Sequence, residues 1–246
     1  MPDARAPLYL VAGGRGADRP RGPDPLIREV VRRTGIARPR VAYVGAASGD
    51  NAAFRLWIAG ILGKAGAGAV TLAPLCGKRG DPDKAKAVLE ASDLVFISGG
   101  DVENGMRVLE ETGMMPFLRR LFRAGTPFFG VSAGSIMLAR KWVRWSDPSD
   151  DSSARLFPCM GFGPVLCDTH GEAEGWEELR ALLALTPAGT VGYGIVSGAA
   201  IVIEPDGSVR ALSGEVHRFR KRAGGVAQVK SLFPGSGGDQ PLIASP

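Results

Sequence analysis

Ser132 stands between Gly130 and Gly134 in FFGVSAGSIMLARKW, a stretch that passes from an apolar run into a helix-like segment. A serine hydroxyl attacks a carbonyl carbon only when a base takes its proton and fixed dipoles await the oxyanion. Gly-x-Ser-x-Gly after a buried strand meets the geometric half of that demand. The glycines permit a strained turn that lifts the side chain above the sheet, and the amide of Ala133 then faces the reacting carbonyl. The plainer alternative is a strand-to-helix turn in which Ser132 only caps the helix.

A second glycine pair, Gly99-Gly100, closes the apolar run DLVFISGG. It should lie on the same carboxyl edge of the sheet, where the sites of open α/β folds collect, and a glycine there lets an amide approach a substrate oxygen. An ordinary tight turn is the alternative. The base must be His170 or His217, because the chain has two histidines. His170 follows a strand-like run and precedes Gly171, whereas His217 lies in a basic segment that reads as exposed, so His170 is the better choice. The acid that orients it could be Asp147, Asp150, Asp151 or Asp168; composition does not separate them.

Short apolar runs alternating with amphipathic stretches predict a doubly wound, mostly parallel sheet flanked by helices. Strands are expected over 7–14, 40–48, 69–75, 93–100 and 126–132, with helices over 24–35, 51–66, 81–92 and 104–125, the last broken near Gly113 to Pro116. The segment SIMLARKW should continue as a helix after the serine turn. Asp81 reads as an N-cap followed by Pro82 at the first helical position. Beyond Trp145 the rhythm changes: a polar loop over 146–154, a strand over 162–170, a helix over 175–185, then a C-terminal β-hairpin over 191–214 turning at Pro205-Asp206-Gly207. One domain over 1–234 and a flexible tail over 235–246 complete the expectation.

The 246 residues are 45% hydrophobic and 22% charged, with no apolar run long enough to span a bilayer. Cys76, Cys159 and Cys167 have neither disulfide-scaffold nor metal-site spacing, which fits a reducing, cytoplasmic setting. The net charge of +5 is partly local, in Arg218, Arg220, Lys221, Arg222 and Lys230. With Phe219 as the one interleaved aromatic and no nucleic-acid motif, this cluster reads as a solvated tail. No nucleic acid, membrane, metal or organic cofactor is implied.

SGGD (98–101), GVSAGS (130–135), Asp147 and CDTH (167–170) together resemble peptidase family S51. That family includes aspartyl dipeptidase (peptidase E) and cyanophycinase, on a fold related to class I glutamine amidotransferases. The resemblance implies Ser132 as nucleophile, His170 as general base and then acid, and Asp147, fifteen residues after the serine, as the group orienting the imidazole. It implies an oxyanion hole from the Gly100 and Ala133 amides and a short peptide substrate cleaved at an aspartyl or β-aspartyl linkage. An acidic substrate would call for a cation, for which Arg140, Lys141, Arg144, Arg15, Arg19 and Arg21 are candidates. Two departures, Asp101-Val102-Glu103 after the glycine pair and Gly171 after the histidine, alter the pocket walls rather than a catalytic atom. Other readings are an α/β-hydrolase-type esterase using Ser132 with His217, and a non-catalytic amidotransferase-like domain that binds a ligand. A homodimer is possible.

Overall fold

The first strand of the computed structural model, β1 (Leu8–Val11), is buried along its whole length, as are β2 (Val41–Val44) and β4 (Leu94–Ile97). Continuous apolar runs of this kind are what a parallel sheet covered on both faces requires. The structure describes residues 6–14, 23–147 and 149–238. β3 (Val70–Ala73) and β5 (Phe128–Val131) complete the parallel set. The strand order is β11-β10-β1-β5-β4-β2-β3, in which β10 (Ala200–Ile203) and β11 (Val209–Ser213) form an antiparallel hairpin added beside β1.

The connecting helices are α1 (Pro25–Arg33), α2 (Ala52–Lys64), α3 (Pro82–Glu90), α4 (Val102–Glu111) and α5 (Met114–Arg123). Their starts follow local chemistry. Asp24, Asn51, Asp81 and Asp101 each accept a backbone N–H of the first turn through the side chain, which satisfies donors that the helix itself cannot. The break expected near Gly113 is present: Gly113 takes φ 65 between α4 and α5. Together with the strands this is the doubly wound, mostly parallel α/β sheet that the sequence predicts.

Three differences concern the second half of the chain. The helix after the serine, α6, is short (Ala133–Leu138), and Lys141–Trp145 is strand β6, paired with β7 (Ala154–Pro158). The expected single hairpin over 191–214 is divided: β9 (Val191–Ile195) belongs to another sheet, and only β10 and β11 turn through Pro205-Asp206-Gly207. The basic stretch expected to be a solvated tail is a ribbon, β12 (Val216–Arg222) against β13 (Gly225–Leu232). Val216 and Phe219 within it are both buried, and the apolar anchoring of these two side chains overrides the charge run. Of the expected flexible tail, residues 239–246 lie outside the described residues.

The four-stranded second sheet has the order β13-β12-β9-β8, where β8 (Leu166–Thr169) runs parallel to β9. Helix α7 (Glu177–Ala184) packs Leu179 and Leu183 against the position of Gly192 on β9. Val191, Tyr193, Ile195 and Val216 of this sheet share one buried cluster with Leu8, Leu10 and Ile97 of the large sheet, so the two sheets close around common apolar side chains. No helix among the described residues is long and apolar enough to cross a membrane.

Candidate active site

The carboxyl ends of β1, β5 and β4 lie side by side, with Val11 opposite Val131 and Ile97 opposite Gly130. Ser132 follows β5 directly and adopts φ 55 and ψ −123, a conformation that a side chain ordinarily avoids. The turn is held by its surroundings. The Ser132 N–H donates to Val11 O at 2.9 Å. The Ser135 hydroxyl, fully buried, donates at 2.8–2.9 Å to the carbonyls of Gly130 or Val11 and accepts the Val11 N–H at 2.8 Å.

Both flanking glycines are steric necessities. A Cβ at Gly130 would stand 2.4 Å from the carbonyl carbon of Gly134, and one at Gly134 would stand 2.2 Å from Ile97 O. The pattern Gly-x-Ser-x-Gly thus reports close approach of the strand, the turn and β4. The Ser132 side chain makes no cap bond to α6, so the plain capping alternative does not describe it.

Its hydroxyl points instead to His170: Ser132 Oγ lies 2.8 Å from His170 Nε2. His170 comes from the second sheet, one residue past β8, and its N–H donates to Ile195 O at 2.9 Å. It also takes a positive φ, 46. The two sheets therefore each deliver one side chain to the contact. His217 is elsewhere: its Nδ1 accepts the Trp176 indole N–H at 2.9 Å, which removes it from any partnership with Ser132.

Gly100 has φ 143, and a Cβ on it would lie 2.1 Å from Ala47 O, so no side chain fits there. Among the described residues its N–H donates to no acceptor, and Gly100 lines the same cleft as Ser132 and His170. Ala133 lines it too and is the first residue of α6, where an N–H has no partner within the helix. Two donors expected from the sequence thus stand at the cleft.

The acids are placed differently from the expectation. Asp147 turns its carboxylate into its own loop, where Oδ1 accepts the Ser149 N–H at 2.9 Å and the Ser149 hydroxyl at 2.7 Å. Those two bonds hold its carboxyl below the usual carboxylate range. Asp150 is occupied in the same way by Ser152. Among the described residues, the His170 ring has Ser132 as its one hydrogen-bond partner, and no carboxylate lies within ion-pairing distance. Asp147 is therefore not brought to His170, because the serine two residues on supplies an Asx turn that captures its oxygen first.

Asp168, the fourth acid considered, does line the cleft and is 6% exposed. Burial pushes its carboxyl up to about 7, helped by the nearby Glu178 and Glu174, although the Thr169 and Leu179 N–H groups oppose the rise. Sequence reasoning missed the remaining lining of this cleft of about 410 Å³, which includes Trp142, Glu174, Glu177 and Glu178. The Trp142 indole N–H donates to Glu178 Oε2 at 2.8 Å and fixes that carboxylate. The cations expected at the pocket are absent from it among the described residues: Arg144 pairs with Glu103 at 3.3 Å, and neither Arg140 nor Lys141 lines the cleft. Arg15, Arg19 and Arg21 lie outside the described residues.

Comparison with known proteins agrees with this architecture. A peptidase from an acI-B1 actinobacterium superposes with a TM-score of 0.66 over 95% of this chain and 98% of its own, at 13% identity. A peptidase E-like protein from Listeria monocytogenes EGD-e gives 0.59 over 88% and 99%, at 14% identity. At such identities the likeness concerns the fold. Peptidase E of Pasteurella multocida is 26% identical over half of this chain and 55% of its own length. The pyridoxal 5'-phosphate synthase subunit PdxT of Geobacillus kaustophilus is 26% identical over 56% of this chain and 65% of its own. The chain thus spans less than two thirds of either relative. Residues 8–210 match the sequence pattern of one family throughout, from β1 to the hairpin beside it, and the chain belongs to peptidase family S51.

Proposed function

We propose that the protein is a serine-type peptidase acting on short peptides, with Ser132 as nucleophile and His170 as general base. The observation that carries this reading is the 2.8 Å approach of Ser132 Oγ to His170 Nε2 above the carboxyl edge of the sheet. Hydrolysis would run in two halves. As the bond from Oγ to the carbonyl carbon forms, the serine proton passes to Nε2; as the C–N bond breaks, Nε2 returns that proton to the leaving amine. Water then gives a proton to Nε2 and adds to the acyl carbon, and Ser132 leaves with the proton restored. The Gly100 and Ala133 amides would receive the oxyanion in each half.

Family membership supports a peptidase, and the absence of any His217 contact with Ser132 disfavours the esterase reading. The orientation of His170 would rest on its backbone bond to Ile195 and on its position at the end of β8 rather than on Asp147. A minimal pair of this kind places the catalytic demand on the nucleophile, the base and the oxyanion donors. The test is amino-acid release from a panel of dipeptides and tripeptides by wild type and Ser132→Ala. Release that disappears in the variant supports the reading. Release that persists unchanged rejects Ser132 as nucleophile, and no release by either favours a ligand-binding domain.

A further inference from the structure

We infer that the cleft beside Ser132 and His170 selects a peptide bearing a positive charge next to the scissile bond, and that Asp168, Glu174, Glu177 and Glu178 determine this preference. The inference rests on the peptidase reading for its chemistry but not for its electrostatics. Those four carboxylates line the cleft together with Ser132 and His170, and no lysine or arginine lines it among the described residues. None of the four is ion-paired with a described residue.

Two of the carboxylates are held in place by hydrogen bonds. Glu178 is anchored by the Trp142 indole N–H, which orients the oxygen without neutralising it. Asp168 is buried on β8, one Oδ atom accepting the Thr169 N–H at 2.7 Å. Its carboxyl is pushed up by burial and then by Glu178 and Glu174, as expected of like charges with no counter-ion. Glu174, in the turn before α7, and Glu177, its first residue, are both exposed at the same opening.

A second observation is independent of charge. Thr169 is 3% exposed and lines the same cleft, and its hydroxyl has no hydrogen-bond partner among the described residues. Buried hydroxyls are ordinarily satisfied, so an orphaned one on a cleft wall marks a place for a polar group of a ligand. The occupant is an organic cation rather than a metal ion, because no three acidic, histidine or cysteine side chains among the described residues converge to hold one. A guanidinium suits several carboxylates at once through its fork of donors, and Trp142 lines the same cleft. An aspartyl side chain would instead enter a field of its own sign. The aspartyl preference implied by the family resemblance is therefore not the one this lining favours.

The positive group could be a lysine or arginine side chain or the peptide's own α-ammonium, and the test separates them. Matched dipeptides carrying Arg, Lys, norleucine or Asp, each with a free or an acetylated N-terminus, are assayed for kcat/KM with wild type and with a Glu174→Gln/Glu178→Gln double variant. The expected result is at least a tenfold preference for Arg or Lys over norleucine and a larger one over Asp, with both ratios falling in the double variant. Preference that follows the free N-terminus and ignores the side chain assigns the cleft to the α-ammonium. Equal rates for the charged and neutral peptides, or a preference for Asp, overturn the inference. Titration of the same peptides into Ser132→Ala measures binding alone. A charge preference there without hydrolysis by wild type would sink the peptidase reading and leave the cation site standing. Binding that ignores charge would sink the cation site whatever the hydrolysis shows.

Discussion

Ser132 and His170 are 38 residues apart in the chain, both held at positive φ, and their side chains meet at 2.8 Å. Each takes its position from a different sheet, Ser132 from the end of β5 and His170 from the end of β8. Strain of this kind persists only where the surroundings fix it, and here the Val11, Ser135 and Ile195 bonds do so.

The Gly100 position tests the oxyanion donors. In Gly100→Ala the new Cβ would meet Ala47 O, at 2.1 Å on the present backbone, so the loop must shift and carry its N–H away. kcat should fall by about 10² or more, the loss seen when one oxyanion donor is removed. Steady-state kinetics together with a thermal melt would separate this loss from unfolding.

Asp147→Asn should matter little. Asparagine keeps an oxygen for the Ser149 N–H and hydroxyl, so the loop stays intact. We expect kcat/KM within about threefold of wild type, against the ~10⁴-fold drop of an acid that truly orients a catalytic histidine. A drop of that larger size would place Asp147 at His170 during turnover.

Asp168 gives the protein a pH-dependent cost. Its ordinary value of 3.8 applies to the unfolded chain, whereas burial pushes the folded carboxyl up to about 7. Between these pH values the folded state binds a proton that the unfolded state has released, so stability falls as pH rises through that window. Asp168→Asn, which retains an acceptor for the Thr169 N–H, should stabilise the protein by a few kcal/mol, as an order of magnitude, at pH 8. The gain should vanish near pH 4. Urea unfolding of both proteins at the two pH values measures it, with Glu174 and Glu178 as the facing charges that enlarge the effect.

His217→Ala should act on stability and not on the chemistry. It deletes the acceptor of the Trp176 indole N–H, a ring that packs against Gly171 and Gly194. The expected loss is about 1–2 kcal/mol in chemical denaturation, with Ser132-dependent hydrolysis retained at temperatures where the variant is folded. Abolished hydrolysis in a folded variant would restore His217 as the base.

The parts of this site that were legible in the sequence are those whose constraint is local. Gly130 and Gly134 flank Ser132 because β5, the turn and β4 touch, and His170 ends an apolar run because β8 ends there. The cleft walls were not legible. Nothing in the spacing of Glu174, Glu177 and Glu178 around the expected helix over 175–185 marks them as a wall, and only the fold turns Glu178 toward Trp142. Trp142 reads as part of a helix, because no glycine or proline separates it from Leu138 and the strand pairing that claims it lies with Phe157, across the loop. Asp147 is the opposite case: its fifteen-residue spacing is visible in the sequence, whereas the Ser149 contacts that occupy its carboxylate are not.

The central claim is that His170 activates Ser132, and the most direct measurement is the rate at which a fluorophosphonate modifies Ser132, located by mass spectrometry. We expect a single adduct on Ser132 of the wild type, with a rate constant at least about 10³-fold lower in His170→Ala. Modification at the same rate without His170, or no modification of folded wild type, would contradict it.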